Sequence, residues 1–260
     1  MIKNKKGLLI IIIILVVIYF LISIFINLFN GKKYSNTVFI GDYTKVQIKN
    51  NKIRVYNQNS NLKGQDVKVY FKNNVIEGYI NSSDNGVNNG LKEYNVFNEK
   101  GESLIFENVL IAFTKDLSPS FKKVVTSHSD DKDLVKKILK NSNIIYSDNF
   151  VLNYFNISNF DIEGDDKDET IYSIGIIDDE TEYKSYAIYN KDEKYYIIDR
   201  EESNYNGIEY TRLIFSNLID FNNDDNYEFV VEKVISEYGP DYYYLYNFED
   251  SEFAMLELEG

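Results

Sequence analysis

The chain reads as a mainly β protein: an N-terminal transmembrane helix, a small antiparallel β domain, a short helical linker and a second β domain built from two similar units. Three observations lead there. Residues 7–29 (GLLIIIIILVVIYFLISIFINLF) carry no charge; beyond them apolar and polar residues alternate with period two; and an acidic nonapeptide recurs in the C-terminal half. With 44% hydrophobic and 15% aromatic residues, the chain has far more apolar side chain than a disordered composition, so packed cores are expected.

Composition also excludes several functions. A net charge of −13 argues against nucleic acid as a partner, because phosphate binding draws on clustered Lys and Arg. The absence of cysteine removes disulfides, thiol nucleophiles, Cys-ligated metals and lipidated cysteine anchors. His128 is the one histidine, which rules out a His-rich metal site within one chain.

Residues 7–29 are long enough, at ~1.5 Å per residue, to cross a ~30 Å hydrocarbon core. A secretory signal has a shorter apolar core and small residues at its cleavage site; here the run continues through Phe25, Ile26, Leu28 and Phe29. The segment is read as an uncleaved signal-anchor in the lipid bilayer. Lys3, Lys5 and Lys6 before it outnumber Lys32 and Lys33 after it, and residues 1–6 are too few for a domain. These features place a cytoplasmic tail at 1–6 and the rest of the chain outside the cell, in a single-pass cell-surface topology.

Residues 38–117 are expected to form the antiparallel β domain. Val46, Ile48, Ile53 and Val55, then Val67, Val69 and Phe71, alternate with polar residues. Asn50-Asn51 and Asn73-Asn74 sit where two tight hairpin turns would need positive φ. Ser82 to Gly90 is a polar loop, and Tyr94 to Phe113 supplies further strand. Residues 118–148 read as a linker in which Asp130, Asp131 and Asp133 precede Leu134, Val135, Ile138 and Leu139, with Lys136, Lys137 and Lys140 after the acids. Acids in the first turn and bases in the last describe one amphipathic helix.

Residues 149–260 form the second β domain and contain the repeat. Asp161-Ile-Glu-Gly-Asp-Asp-Lys-Asp-Glu169 matches Asp220-Phe-Asn-Asn-Asp-Asp-Asn-Tyr-Glu228, and Tyr186 to Asn190 matches Tyr243 to Asn247 downstream. A hard cation such as Ca²⁺ takes six to eight oxygens, and a short loop converges them from alternate positions. Positions one, three, five and nine are Asp161, Glu163, Asp165 and Glu169 in the first loop, and Asp220, Asn222, Asp224 and Glu228 in the second. Position seven, Lys167 or Asn226, would offer its backbone carbonyl. An EF-hand is excluded: position twelve is Tyr172 or Val231, and the flanks are strand-like rather than helical.

These two loops resemble the D-x-D-G-D-G-x-x-E calcium loops of FG-GAP/VCBS repeats, found in integrin-like β-propeller blades. The resemblance implies Ca²⁺ ligands at the ten positions just named and propeller-blade-like units over about Phe150 to Leu258. Both loops depart from the pattern at position six, where Asp166 and Asp225 replace glycine, although Asp tolerates a left-handed backbone better than most residues. Two units do not close a propeller. The first loop, with four carboxylates against three, is the expected stronger site.

No catalytic signature accompanies them. His128 lies among Ser127, Ser129 and Asp130, but triads assemble from separate elements rather than sequence neighbours, so it reads as a surface histidine. Tyr242, Tyr243, Tyr244 and Tyr246, with Tyr195 and Tyr196, would offer a stacking platform, yet strand alternation buries about half of such a run. The expected function is a non-catalytic, membrane-anchored envelope protein of bacterial type. Its calcium-stabilised β domain would bind an envelope protein or glycan, or act structurally. The alternative is an envelope hydrolase directed at glycans through paired carboxylates.

Overall fold

A computed structural model describes residues 34–41, 44–57, 65–71, 74–82, 94–97, 100–101, 103–104, 111–162, 167–178, 182–204, 210–235 and 241–257, together with 16, 18 and 19. Of the expected anchor, Val16, Ile18 and Tyr19 are helical and exposed; its other residues lie outside the described set. Among the described residues no helix is long and apolar enough to cross a membrane.

Among the described residues past the N-terminal segment, the protein is mainly β, with three antiparallel sheets and one short helix. Sheet I contains β1 (Thr37–Ile40), β2 (Thr44–Lys49), β3 (Lys52–Asn57), β4 (Gln65–Phe71), β5 (Asn74–Ser82), β6 (Tyr94–Phe97), β7 (Ser103–Leu104) and β8 (Ile111–Thr114). Its order is β3-β2-β1-β8-β4-β5-β6-β7, so β8 returns from far along the chain to separate β1 from β4. The β2–β3 turn is built as expected: Lys49 pairs with Lys52, and Asn50 and Asn51 hold φ of 52° and 61°. That backbone matches the strand twist, and Asn tolerates it. The β4–β5 hairpin differs by one residue. Phe71 pairs with Asn74, so Asn74 belongs to the strand and residues 72 and 73, which lie outside the described set, connect the two. The Ser82–Gly90 loop, apart from Ser82 at the end of β5, also lies outside it.

The stretch between the β regions does more than connect. It supplies β9 (Ser120–Phe121), β10 (Val125–His128) and α1 (Lys132–Asn141). The Asp131 carboxylate caps α1 by accepting from the Leu134 N–H at 3.0 Å, and Asp133 and Lys140 complement the helix dipole. Apolar spacing of three and four residues puts Val135, Ile138 and Leu139 on one face, and all three are fully buried.

Two sheets then follow with the same connectivity. Sheet II runs β10-β11-β12-β13-β14, with β11 (Val151–Phe160), β12 (Glu169–Asp178), β13 (Glu182–Lys191) and β14 (Lys194–Asn204). Sheet III runs β9-β15-β16-β17-β18, with β15 (Thr211–Asp220), β16 (Glu228–Ile235), β17 (Asp241–Glu249) and β18 (Glu252–Met255). Each is a four-stranded meander with a short strand from the connecting stretch added to its first edge. In both, the acidic loop joins the first strand to the second.

Sheet III is the middle layer. Ile219, Phe221, Val230, Tyr243 and Leu245 pack with Val38, Ile40, Val46 and Phe113 of sheet I. Its opposite face sends Leu213, Phe215, Phe229, Val231 and Tyr246 against Phe160, Ile171, Ala187 and Tyr189 of sheet II. The outer face of sheet II then covers α1 through Phe155, Ile174, Ile176, Tyr186 and Ile188. Strand alternation produces this two-faced middle sheet, and the irregular register between Phe215 and Asn217 swaps the faces partway along β15.

Side chains also lock sheets II and III together. β9 covers β15 only at Ile219 and Asp220. Further along, the Phe215 N–H donates to Ser173 Oγ at 2.9 Å. The Leu213 N–H donates to Ser185 Oγ at 2.8 Å and to the Tyr154 hydroxyl at 3.0 Å, and Tyr154 returns its proton to the Leu213 carbonyl at 2.9 Å. A strand edge buried between sheets is thereby satisfied without a strand partner.

Candidate metal centre

The two acidic loops occupy equivalent joints, β11–β12 and β15–β16. Each is closed by the same hydrogen bond. The Ile162 N–H at position two donates to Glu169 Oε2 at 2.9 Å, and the Phe221 N–H donates to Glu228 Oε2 at 3.3 Å. Both glutamates open the second strand of their meander and are buried, with 6% of Glu169 and 2% of Glu228 exposed. A position-nine glutamate thus faces back into its own loop in both copies, as ligand convergence requires.

The second loop is described in full. Asp220, 2% exposed, accepts from the Asp224 N–H at 3.2 Å and the Asp225 N–H at 3.0 Å, folding the loop over its own carboxylate. Asp224 accepts from the Asn226 N–H at 3.0 Å. Asn223 and Asp225 hold φ of 56° and 66°, so the aspartate at position six takes the left-handed backbone for which glycine is the usual choice. An ionised carboxylate has about four acceptor sites; the turn uses two on Asp220.

Asn222, at position three, is the unbalanced group. Its Nδ2 donates to Asp224 Oδ2 at 2.8 Å and to the Asn51 carbonyl of sheet I at 3.2 Å. Two acceptors on that nitrogen fix the amide orientation. Its Oδ1 is then left buried with no donor, and such an oxygen is costly to bury unsatisfied. Burial, with Asp224 and Asp220 nearby, pushes the Glu228 carboxyl up to about 8. A cation that displaced the Glu228 proton would meet oxygen acceptors in excess of donors here, an arrangement that suits a hard cation.

In the first loop, Asp161 is half-buried and Lys167 is exposed; Glu163 and Asp165, with Asp166, lie outside the described residues. Among the described residues no three carboxylate or imidazole groups stand together at metal-binding spacing. The carboxylates at the expected ligand positions of the second loop are Asp220, Asp224 and Glu228, and the first two are engaged with backbone N–H groups of the turn.

The remaining sequence candidates have plain surroundings. His128 is exposed on β10, its Nδ1 3.4 Å from Asn156 Oδ1 and its Nε2 3.2 Å from Asp130 Oδ1. Tyr243 and Tyr246 are buried, and Tyr242 and Tyr244 half-buried, so the tyrosine run serves packing. One polar pair was not legible: the Tyr246 hydroxyl of sheet III donates to Asp199 Oδ2 of sheet II at 2.5 Å. Burial, partly offset by this hydrogen bond, holds the Asp199 carboxyl above its ordinary value. The two residues belong to different repeats, and only sheet packing brings them together.

No known family pattern, characterised protein or solved structure matches the chain.

Proposed function

We propose that this is a non-catalytic, membrane-anchored protein of the cell envelope whose outer β sheets are stabilised by calcium and serve binding or structural support. The observation that carries the calcium reading is the repeated closure of two acidic loops, at equivalent joints, by a position-two N–H on a buried position-nine glutamate. The orphaned Asn222 Oδ1 supports it independently.

Asp161, Glu163, Asp165 and Glu169, with the Lys167 carbonyl, would hold an ion in the first loop. Asp220, Asn222, Asp224 and Glu228, with the Asn226 carbonyl, would hold one in the second. The cation supplies charge neutralisation: it offsets carboxylates that otherwise repel one another on a short turn. The chain's own residues provide the rigid joint. The likeness to propeller blades rests on the same loops and on the four-stranded meander each one opens. The uncharged 7–29 segment carries the anchor and the outward orientation.

The test is a thermal melt of the full chain in mild detergent, with chelator and with millimolar calcium. Binding to the folded state alone adds ~1.4 kcal/mol at ten times Kd, which for a chain of this size is a rise of about 3–6 °C. Magnesium should do much less, because it demands a tighter octahedron. Asp161→Ala with Asp165→Ala should remove most of the shift, and Asp220→Ala a smaller part. Unchanged melting, with no calcium binding by calorimetry up to ~10 mM, above the ~10⁻⁴–10⁻³ M range of extracellular modules, would refute the ion.

A further inference from the structure

Where sheets II and III meet, four chain reversals lie at one end: the two acidic loops, the β13–β14 turn and the β17–β18 turn. Between them is a cleft of about 550 Å³, within the size range of small-ligand sites. Its walls come from both repeats. Ile162 of the first acidic loop and Lys191 at the end of β13 stand on the sheet II side; Tyr227 of the second loop, with Asn247 and Phe248 of β17, stand on the sheet III side. Lys122, just past β9, lies over the Tyr227 ring at 5.3 Å.

The floor is aromatic and held in place. Phe248 meets Tyr189 edge-on at 5.3 Å and Tyr196 at 5.1 Å, and Phe229 meets Tyr189 at 5.5 Å. Phe253 closes the cluster at 4.7 Å from Phe248. Interlocked rings of this kind resist rearrangement, so the floor is formed before any ligand arrives. Tyr227 and Phe248 are half-buried and keep ring surface open to a ligand.

The polar lining is balanced. Lys122 and Lys191 stand with Asp225 and Glu249, so the cleft has no net charge of its own, while the whole chain at −13 disfavours anions at long range. The Asp225 and Glu249 carboxylates offer acceptors, and the two ammonium groups donors, to hydroxyls brought in by a ligand. A ligand that offers apolar C–H faces to flat rings, hydroxyl donors around its edge and no charge is a sugar.

We propose that this cleft binds a neutral oligosaccharide, a reading that rests on the binding-module function above and names its ligand class. Placement at the junction of the repeats explains why two meanders suffice: each contributes one wall. The acidic loops lie beside the cleft, with Ile162 and Asp225 in its lining, so calcium would tighten the walls without touching the sugar.

The test is calorimetric titration of the full chain in mild detergent with chitotetraose and cellotetraose, in calcium and in chelator. End-blocked tetra-alanine and inorganic phosphate represent a peptide and an anion. The expected result is submillimolar binding of at least one tetrasaccharide, with no measurable heat from peptide or phosphate. Tyr227→Leu and Phe248→Leu, at half-buried lining positions, should each weaken it about tenfold or more, while Lys137→Ala beside α1 leaves it unchanged. Absence of saccharide binding at ~10 mM, or variants that are folded by circular dichroism and bind like wild type, would overturn the assignment. So would peptide or phosphate binding in place of sugar. Sugar binding that persists in chelator with no calcium effect on melting would sink the calcium reading alone; calcium stabilisation without sugar binding would sink this one alone.

Discussion

Replacing Glu228 by Gln should stabilise the calcium-free protein, a direction opposite to most buried substitutions. The Glu228 carboxyl is 2% exposed and is pushed from 4.5 up to about 8, first by burial and then by the neighbouring aspartates. A folded-state value above the unfolded one means that the fold prefers the protonated acid. Its contribution is fully present below about pH 4.5 and is lost as pH rises toward about 8. At pH 7 the unfolded chain has released this proton and the folded chain retains it, at ~1.4 kcal/mol per pH unit, or roughly 3 kcal/mol in all. Gln keeps an oxygen for the Phe221 N–H and has no proton to lose. Its extra N–H, if unpaired, takes back about 1 kcal/mol. The net gain at pH 7 is roughly 2 kcal/mol, a melting rise of about 4–8 °C, shrinking to nothing or to a small loss at pH 4. The assay is differential scanning fluorimetry of both chains in chelator from pH 4 to 8. A variant no more stable than wild type at pH 7 would refute the argument that this carboxyl is held protonated. Saturating calcium should then stabilise the wild type more than the variant.

Two further outcomes test the joint between sheets II and III. A Cβ on Gly175 would lie 2.2 Å and 2.5 Å from ring atoms of Tyr154 and 2.5 Å from the Tyr183 hydroxyl; Tyr154 is tied to Leu213, so Gly175→Ala should cost ~1–3 kcal/mol in urea unfolding, and a loss below ~0.5 kcal/mol would show that the ring moves freely. Ser185→Ala and Tyr154→Phe each leave the Leu213 N–H one acceptor and should cost about 1 kcal/mol, whereas the double variant orphans a fully buried donor and should cost more than their sum; simple additivity in the double-mutant cycle would mean that the N–H finds another partner.

What the sequence carries is the local chemistry. Asp131 with Leu134, Val135, Ile138 and Leu139 contains both the cap and the buried face of α1, so that helix was readable in full. Asn50-Asn51 was readable as a turn because Asn adopts positive φ at low cost; Asn73-Asn74 misled by one residue because neighbouring asparagines suit a turn equally well, and the Phe71–Asn74 pairing decides between them. β9 and β10 were not readable. They are two and four residues long, and Val125 to His128 are all exposed, so no apolar alternation marks them; they are strands because a sheet edge is beside them. The return of β8 between β1 and β4 is likewise a non-local choice. At the acidic loops the oxygen pattern was visible, whereas the burial that raises Glu228 arises from sheet III lying between two other layers.

The two loops, alike in sequence and closure, have acquired different neighbours. The first borders the cleft through Ile162. The second also reaches sheet I, where Asn222 Nδ2 donates to the Asn51 carbonyl at the tip of the β2–β3 hairpin. The same hairpin is held at its other end: Thr44 Oγ1 donates to the Tyr243 carbonyl at 3.2 Å. Gly41, at φ 55°, lets the Tyr243 ring approach to where a Cβ would be 2.1 Å away, a contact only glycine permits. An acidic-loop side chain thus helps to seat sheet I on sheet III. Because Asn222 shares its amide between Asn51 and Asp224, any change in how Asp224 is engaged alters what the amide offers sheet I. The packing order of the sheets sets both joints beside the cleft and makes the second also a brace between sheets I and III.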